Sequence, residues 1–191
     1  MTPIGDKAVL KKGEAGNLKY RCRREYIITF VLFAISFGIL LAGLIINGSK
    51  YNVLTVAAVL GMLPAVRYLT SSIVFSKAVK FSCSSKIVEK LKDRNDVLFD
   101  LYFTGYDRSF PVGAAVVSDK GAVIFLNDQK SDVKLAEEHV MKQMKQAGLS
   151  DMSIKFFKED DKFLRAAENH EDHNEGGRCA ELMNLLLDIS L

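Results

Sequence analysis

Residues 26–46 read YIITFVLFAISFGILLAGLII, 21 residues without a charge. As a helix rising 1.5 Å per residue this stretch is about 31 Å long, the thickness of a bilayer's hydrocarbon core. A second apolar run, VLTVAAVLGMLPAVRYLTSSIVF over residues 53–75, is broken by one charge, Arg67. Only the polar residues 47–52 separate the two runs. The pattern predicts an α-helical transmembrane hairpin over 26–75, preceded by a basic cytoplasmic tail over 1–25 and followed by a small cytoplasmic α+β domain over 80–191.

The distribution of charge supports that division. The chain carries a net +3, but residues 1–25 hold seven Lys/Arg against three acidic residues, whereas residues 76–191 hold 17 basic and 20 acidic. A net-acidic domain lacks the positive field on which non-specific nucleic-acid binding depends. Arg21, Arg23 and Arg24 flank the first span and Lys77 and Lys80 follow the second, while the loop between them has only Lys50. By the positive-inside rule both termini face the cytoplasm and the protein is a two-pass protein of the plasma (inner) membrane. Cys22, Cys83 and Cys179 then sit in a reducing compartment, without CxxC spacing and without a disulfide framework. The first apolar run is too long for a signal-peptide core, and a second follows directly.

Several features of the hairpin have two readings. The basic cluster KYRCRRE (residues 19–25) either attracts anionic lipid headgroups, at about 1 kcal/mol per basic residue, or only sets topology. Ala34, Gly38 and Ala42, and likewise Ala57, Gly61 and Ala65, recur every four residues and would let the two helices approach closely; the same stripes would suit a homo-oligomer face. Pro64 removes an amide within the second span and predicts a kink. Arg67 finds no acidic partner between Tyr26 and Phe75, so it reads as a snorkelling side chain of an anchor.

The remaining chain gives the order α-β-β-β-α-β-α-α. Ser84 or Ser85 caps a helix to about Lys92. DVLFDLYFTG (96–105), PVGAAVVS (111–118) and AVIFL (122–126) read as strands, the last two joined by the Asp119-Lys120-Gly121 turn. Helix 132–147 ends at Gly148, strand 152–157 follows, and two helices start near Asp160 and Arg178. Three consecutive strands and a helix returning to a fourth suggest a sandwich with helices on one or both faces. The Leu182, Leu185, Leu186 and Ile189 stripe either docks on the sheet or engages an unknown protein partner.

With KKGEAGNLKYRCRREYIIT, YNVLTVAAVLGMLPAVR and LYFTGYDRSF in view, the chain resembles a family of small two-span membrane proteins of Gram-positive anaerobes, from about Lys11 to the final LLLDISL. Some members carry the label "O-linked GlcNAc transferase-like". The resemblance implies the hairpin-plus-domain architecture; the chain itself shows no tetratricopeptide period.

Standard nucleotide, dinucleotide, zinc-protease and serine-hydrolase motifs are absent from the sequence. Asp128-Gln129-Lys130, a DxK at the end of the third strand, resembles the core of restriction-endonuclease-like nucleases, where such a motif and an acidic residue near the second strand hold Mg²⁺. Asp107, Asp128 and Lys130 are the corresponding catalytic candidates. His170, His173, Glu175 and Cys179 offer imidazole and thiolate to Zn²⁺, at a spacing matching no common zinc motif. His139 stands alone on its helix and reads as surface or edge packing. The function expected is a membrane-anchored interaction or scaffolding module without cofactor; the alternative is a tethered Mg²⁺-dependent hydrolase.

Overall fold

The computed structural model describes residues 10–48, 52–105, 108–170 and 177–191. It contains six helices and a four-stranded sheet among those residues. The chain divides into two compact units, one of residues 19–79 and one of residues 80–191 with the described part of 1–18.

The first unit consists of helix α1 (Asn17–Asn47) and helix α2 (Val53–Val79), which runs unbroken through Pro64. Asn52 starts α2: its Oδ1 accepts from the Thr55 amide at 2.8 Å, and its Nδ2 donates to the Gly43 carbonyl of α1 at 3.0 Å. The helices pack antiparallel, because Cys22 Sγ meets the Ser72 carbonyl at one end while Gly43 lies against Leu54 at the other. Between them Gly61 faces Ser36 so closely that a Cβ at Gly61 would stand 2.9 Å from the hydroxyl.

The seam has a seven-residue period. Cys22, Thr29, Ser36 and Gly43 line it on α1, opposite Ala58, Ala65 and Ser72 on α2; Thr29, Ser36, Ala58, Ala65 and Ser72 are all buried. The four-residue stripes expected from sequence hold only in part. Gly61 and Ala65 join the seam, but Ala57, Ala34, Gly38 and Ala42 are exposed. At about 100° per residue a four-residue step rotates about 40° away from the contact line, whereas a seven-residue step stays within about 20° of it. Large apolar side chains point outward instead: Phe30 is 75% exposed, Ile45 81% and Val53 83%.

The second unit contains helix α3 (Ser85–Leu91), strands β1 (Val97–Thr104), β2 (Ser109–Ser118) and β3 (Gly121–Leu126), helix α4 (Val133–Gln146), strand β4 (Ser153–Phe157), and helices α5 (Asp160–Glu168) and α6 (Arg178–Asp188). The strands lie in the order β1-β2-β3-β4, with β1, β2 and β3 antiparallel and β4 parallel to β3. Gly121 opens the parallel pair opposite Ser153; any Cβ there would collide with the Ser153 backbone.

Both faces of the sheet are covered. Leu101, Phe103, Val112, Ile124 and Leu126 pack with Ala136, Val140 and Met144 of α4 and Leu182 and Leu186 of α6. Phe99, Ala114, Val116, Val123 and Phe125 pack with Ile87 and Leu91 of α3 and Phe163, Leu164 and Ala167 of α5. The α6 stripe therefore docks on the sheet.

In a regular strand side chains alternate faces, yet β1 changes phase between Phe99 and Leu101, and β2 between Val112 and Ala114. Asp100 and Gly113 occupy these two skipped positions. Asp100 has φ +52, a left-handed backbone rare for a residue with a Cβ. Its buried carboxylate accepts from the Gly16 amide at 2.6 Å and from the Cys83 amide at 2.8 Å. One side chain thus ties the chain just ahead of the hairpin and the chain just after it to the same strand. The segment from residue 10, expected as part of the basic tail, continues this docking, with Phe99 donating to the Gly13 carbonyl at 2.7 Å. The C-terminus covers the next stretch of that edge: Leu191 donates to the Tyr102 carbonyl at 3.0 Å, and Ser190 bridges to Phe103. Covering the row of unpaired groups on an edge strand protects it from pairing with other chains.

Candidate functional site

The ends of β1, β3 and β4 and the start of β2 share one end of the sheet, as the antiparallel and parallel registers require. At that end a cleft of about 710 Å³ opens between the β1–β2 connection and α4, lined by Gly105, Arg108, Phe110, Leu135, Glu138, His139 and Lys142. Helical spacing puts Leu135, Glu138, His139 and Lys142 on one strip of α4, beside the core-facing Ala136 and Val140. Across the cleft the Gly105 amide donates to the Arg108 carbonyl at 2.8 Å.

His139 is the most unusual group in the cleft. Its ring tilts on Phe110 at 5.9 Å between centroids, and its Nε2 is buried without a hydrogen-bond partner among the described residues. Burial first, and then the charge of Lys142, push its pKa down, so the imidazole is neutral at physiological pH. Sequence reasoning gave His139 only a packing role, since a lone histidine carries no spacing signal. The strip 135, 138, 139, 142 was readable as the flank of an amphipathic helix, but what stands opposite it is a tertiary fact.

Of the catalytic candidates, Asp128 and Lys130 lie at the same end of the sheet. Asp107 falls outside the described residues; its neighbours Gly105 and Arg108 line the cleft. Asp128 and Lys130 sit in the turn between β3 and α4. There Asp128 Oδ1 accepts from the Lys130 amide at 2.9 Å and Oδ2 from the Ser131 hydroxyl at 3.1 Å. Both carboxylate oxygens thus organise their own turn, as aspartates ahead of a helix do. Asp132 then caps α4 by accepting from the Lys134 amide at 3.0 Å.

Of the zinc candidates, His170 and Cys179 lie at the opposite end, around the β2–β3 turn. His170 Nε2 is 2.8 Å from the Ser118 hydroxyl, and His173 and Glu175 fall outside the described residues. Cys179 is buried; its amide donates to Asp119 Oδ1 at 2.9 Å and its Sγ to the Val117 carbonyl at 3.5 Å. Burial, then Asp119 and Asp96, raise its pKa and favour the thiol over the metal-binding thiolate. Among the described residues no three His, Cys, Asp or Glu side chains gather as a metal site would require. Cys83 is likewise a thiol, pushed up to about 12 by burial and by Asp100 and Asp160. Comparison with protein-family models, with curated proteins and with solved structures yields no match.

Proposed function

We propose that this chain is a two-span protein of the plasma membrane, with both termini in the cytoplasm, whose sheet domain serves as a membrane-anchored interaction or scaffolding module. The observation that carries the reading is the outward face of α1 and α2. Only 17% and 11% of their apolar windows are buried, so the greasy surface is left for lipid to cover. The helix register supports it further. Arg67 stands level with residues 28–30 of α1, about 3 to 6 Å inside Tyr26, a depth from which an arginine reaches the headgroups without a partner. Tyr26 and Tyr68 fall at the same level, where interfacial aromatics belong. Reporter fusions at each end of the intact chain test the topology: both ends report cytoplasmic exposure, and a periplasmic or external signal from either end refutes it.

The tethered hydrolase is the second reading, favoured by the α-β-β-β-α-β order and by the Asp128-Gln129-Lys130 turn at the cleft end of the sheet. Its test is Mg²⁺-dependent hydrolysis of DNA by the intact protein. Loss of that activity in Asp128→Ala and Lys130→Ala variants supports the enzyme, and absence of hydrolysis in the wild type removes it.

A further inference from the structure

We propose that one flank of the hairpin's cytoplasmic end binds an anionic phospholipid, with Lys19 and Arg23 of α1 and Lys77 of α2 holding the headgroup and an acyl chain lying along Tyr26, Phe30 and Val66. The inference rests on the membrane reading and names the lipid that the hairpin selects.

Helix rotation divides the basic cluster. Measured from Cys22 on the α1 seam at about 100° per residue, Arg23 and Lys19 stand about 100° and about 60° to one side, and Arg21 and Glu25 stand about as far to the other. Measured from Ser72 on α2, Lys77 stands about 140° round in the first sense and Phe75 about 60° in the opposite sense. Between antiparallel helices equal senses of rotation fall on one flank, and the Arg21 guanidinium over the Phe75 ring at 4.9 Å fixes that pairing. Lys19, Arg23 and Lys77, all exposed, therefore share a flank. Glu25, the one acidic residue between positions 19 and 79, stands on the other flank with Arg21 and Arg67. The three cations also share a depth. Cys22 meets Ser72 and Arg21 meets Phe75, so Lys77 comes level with residues 17–19. Arg23 and Lys19 lie about 5 to 10 Å beyond Tyr26, the depth of lipid phosphates when Tyr26 marks the interface. Tyr26, Phe30 and Val66 are exposed on the same flank toward the bilayer interior, which gives the polar-to-apolar order of a phospholipid. A zwitterionic headgroup neutralises its own phosphate with an ammonium, whereas three cations with no acid on their flank match a headgroup that keeps its negative charge. The Arg23 guanidinium adds bidentate contact with phosphate.

The test uses the full chain in vesicles of phosphatidylcholine and phosphatidylglycerol, one or the other brominated in its acyl chains, with tryptophan reporters in a chain that has none of its own. Phe30→Trp reports the proposed flank, and Ile28→Trp the opposite one. The expected result is a preference for phosphatidylglycerol over phosphatidylcholine of about fivefold or more at Phe30→Trp, and of less than about twofold at Ile28→Trp. Adding Arg23→Gln/Lys77→Gln brings the preference at Phe30→Trp below about twofold. Arg21→Gln/Arg24→Gln removes as much charge from the same end of the hairpin but not from this flank, and keeps most of the preference; circular dichroism checks the helices in each variant. Equal quenching by the two brominated lipids at Phe30→Trp, or equal loss in the two charge pairs, overturns the proposal and leaves the membrane reading standing. Quenching by aqueous iodide and by neither lipid overturns both.

Discussion

The two units of this chain handle most of their large apolar side chains in opposite ways. In the sheet domain Phe103 and Phe163 are fully buried; in the hairpin Phe30 and Phe37 point outward, and Ala58, Ala65 and Ser72 occupy the interior. An aqueous fold gains free energy by hiding large apolar side chains, at about 25 cal/mol per Å². Between helices in lipid that drive vanishes, and close backbone approach through small residues replaces it. On the proposed reading the two units are built for different solvents.

The comparison can be broken by substituting like residues in each unit. The largest effect is expected for Phe163→Ala, which opens a cavity beside Phe125, whose ring lies 5.5 Å away. It should destabilise the sheet domain by about 3–5 kcal/mol in denaturant titration. Phe30→Ala should leave the hairpin's helix packing unchanged. Equal losses in both would mean that the hairpin also folds around its large side chains.

Asp100→Ala comes next, because it leaves the amides of Gly16 and Cys83 without their acceptor, at about 1–3 kcal/mol for each orphaned donor. Asp100→Asn keeps one acceptor oxygen and tolerates the left-handed backbone, so it should lose less. Amide hydrogen exchange at Gly16 and Cys83 should quicken in Asp100→Ala. Unchanged exchange at both would show that the carboxylate does not hold these segments.

Ala65→Leu tests the interior of the hairpin. Overpacking a fully buried seam position should cost about 1–3 kcal/mol in detergent unfolding, while Ala57→Leu, on the exposed face, should cost nothing measurable. Equal costs at the two positions would restore the four-residue stripe as the contact line.

The smallest effect is the pH response of His139. Its folded pKa lies below the unfolded value of about 6.5, so the unfolded chain binds more protons as the pH falls through that value. Its contribution to stability is therefore complete above about pH 6.5 and is lost on acidification. The melting temperature of the wild type should fall more steeply between pH 7 and pH 5 than that of His139→Gln. Parallel slopes would contradict a depressed imidazole.

Much of the architecture was legible in the sequence because it rests on period and composition. The two apolar runs, the strands, the Asp119-Lys120 turn and the α4 cap at Asp132 are local signals, and each element of the sheet domain lies within a few residues of its expected bounds, whereas α1 begins at Asn17, nine residues ahead of the first apolar run. The seam was misread because glycine and alanine at four-residue spacing look like a contact line until helix rotation is followed over several turns. The phase change at Asp100 was invisible, since an aspartate inside a strand pattern does not announce the amides of residues 16 and 83. The cleft was illegible for the same reason. Arg108 and His139 are 31 positions apart, and only the sheet brings their elements together.

The most direct test of the lipid-facing hairpin uses the absence of tryptophan from the chain. A Phe37→Trp substitution puts a single reporter at the middle of the first apolar run, on a side chain 55% exposed outside any bilayer. With the intact protein reconstituted in vesicles, the account predicts blue-shifted emission, strong quenching by lipids brominated deep in their acyl chains, and no quenching by aqueous iodide. Red-shifted emission that iodide quenches and brominated lipid does not would contradict it.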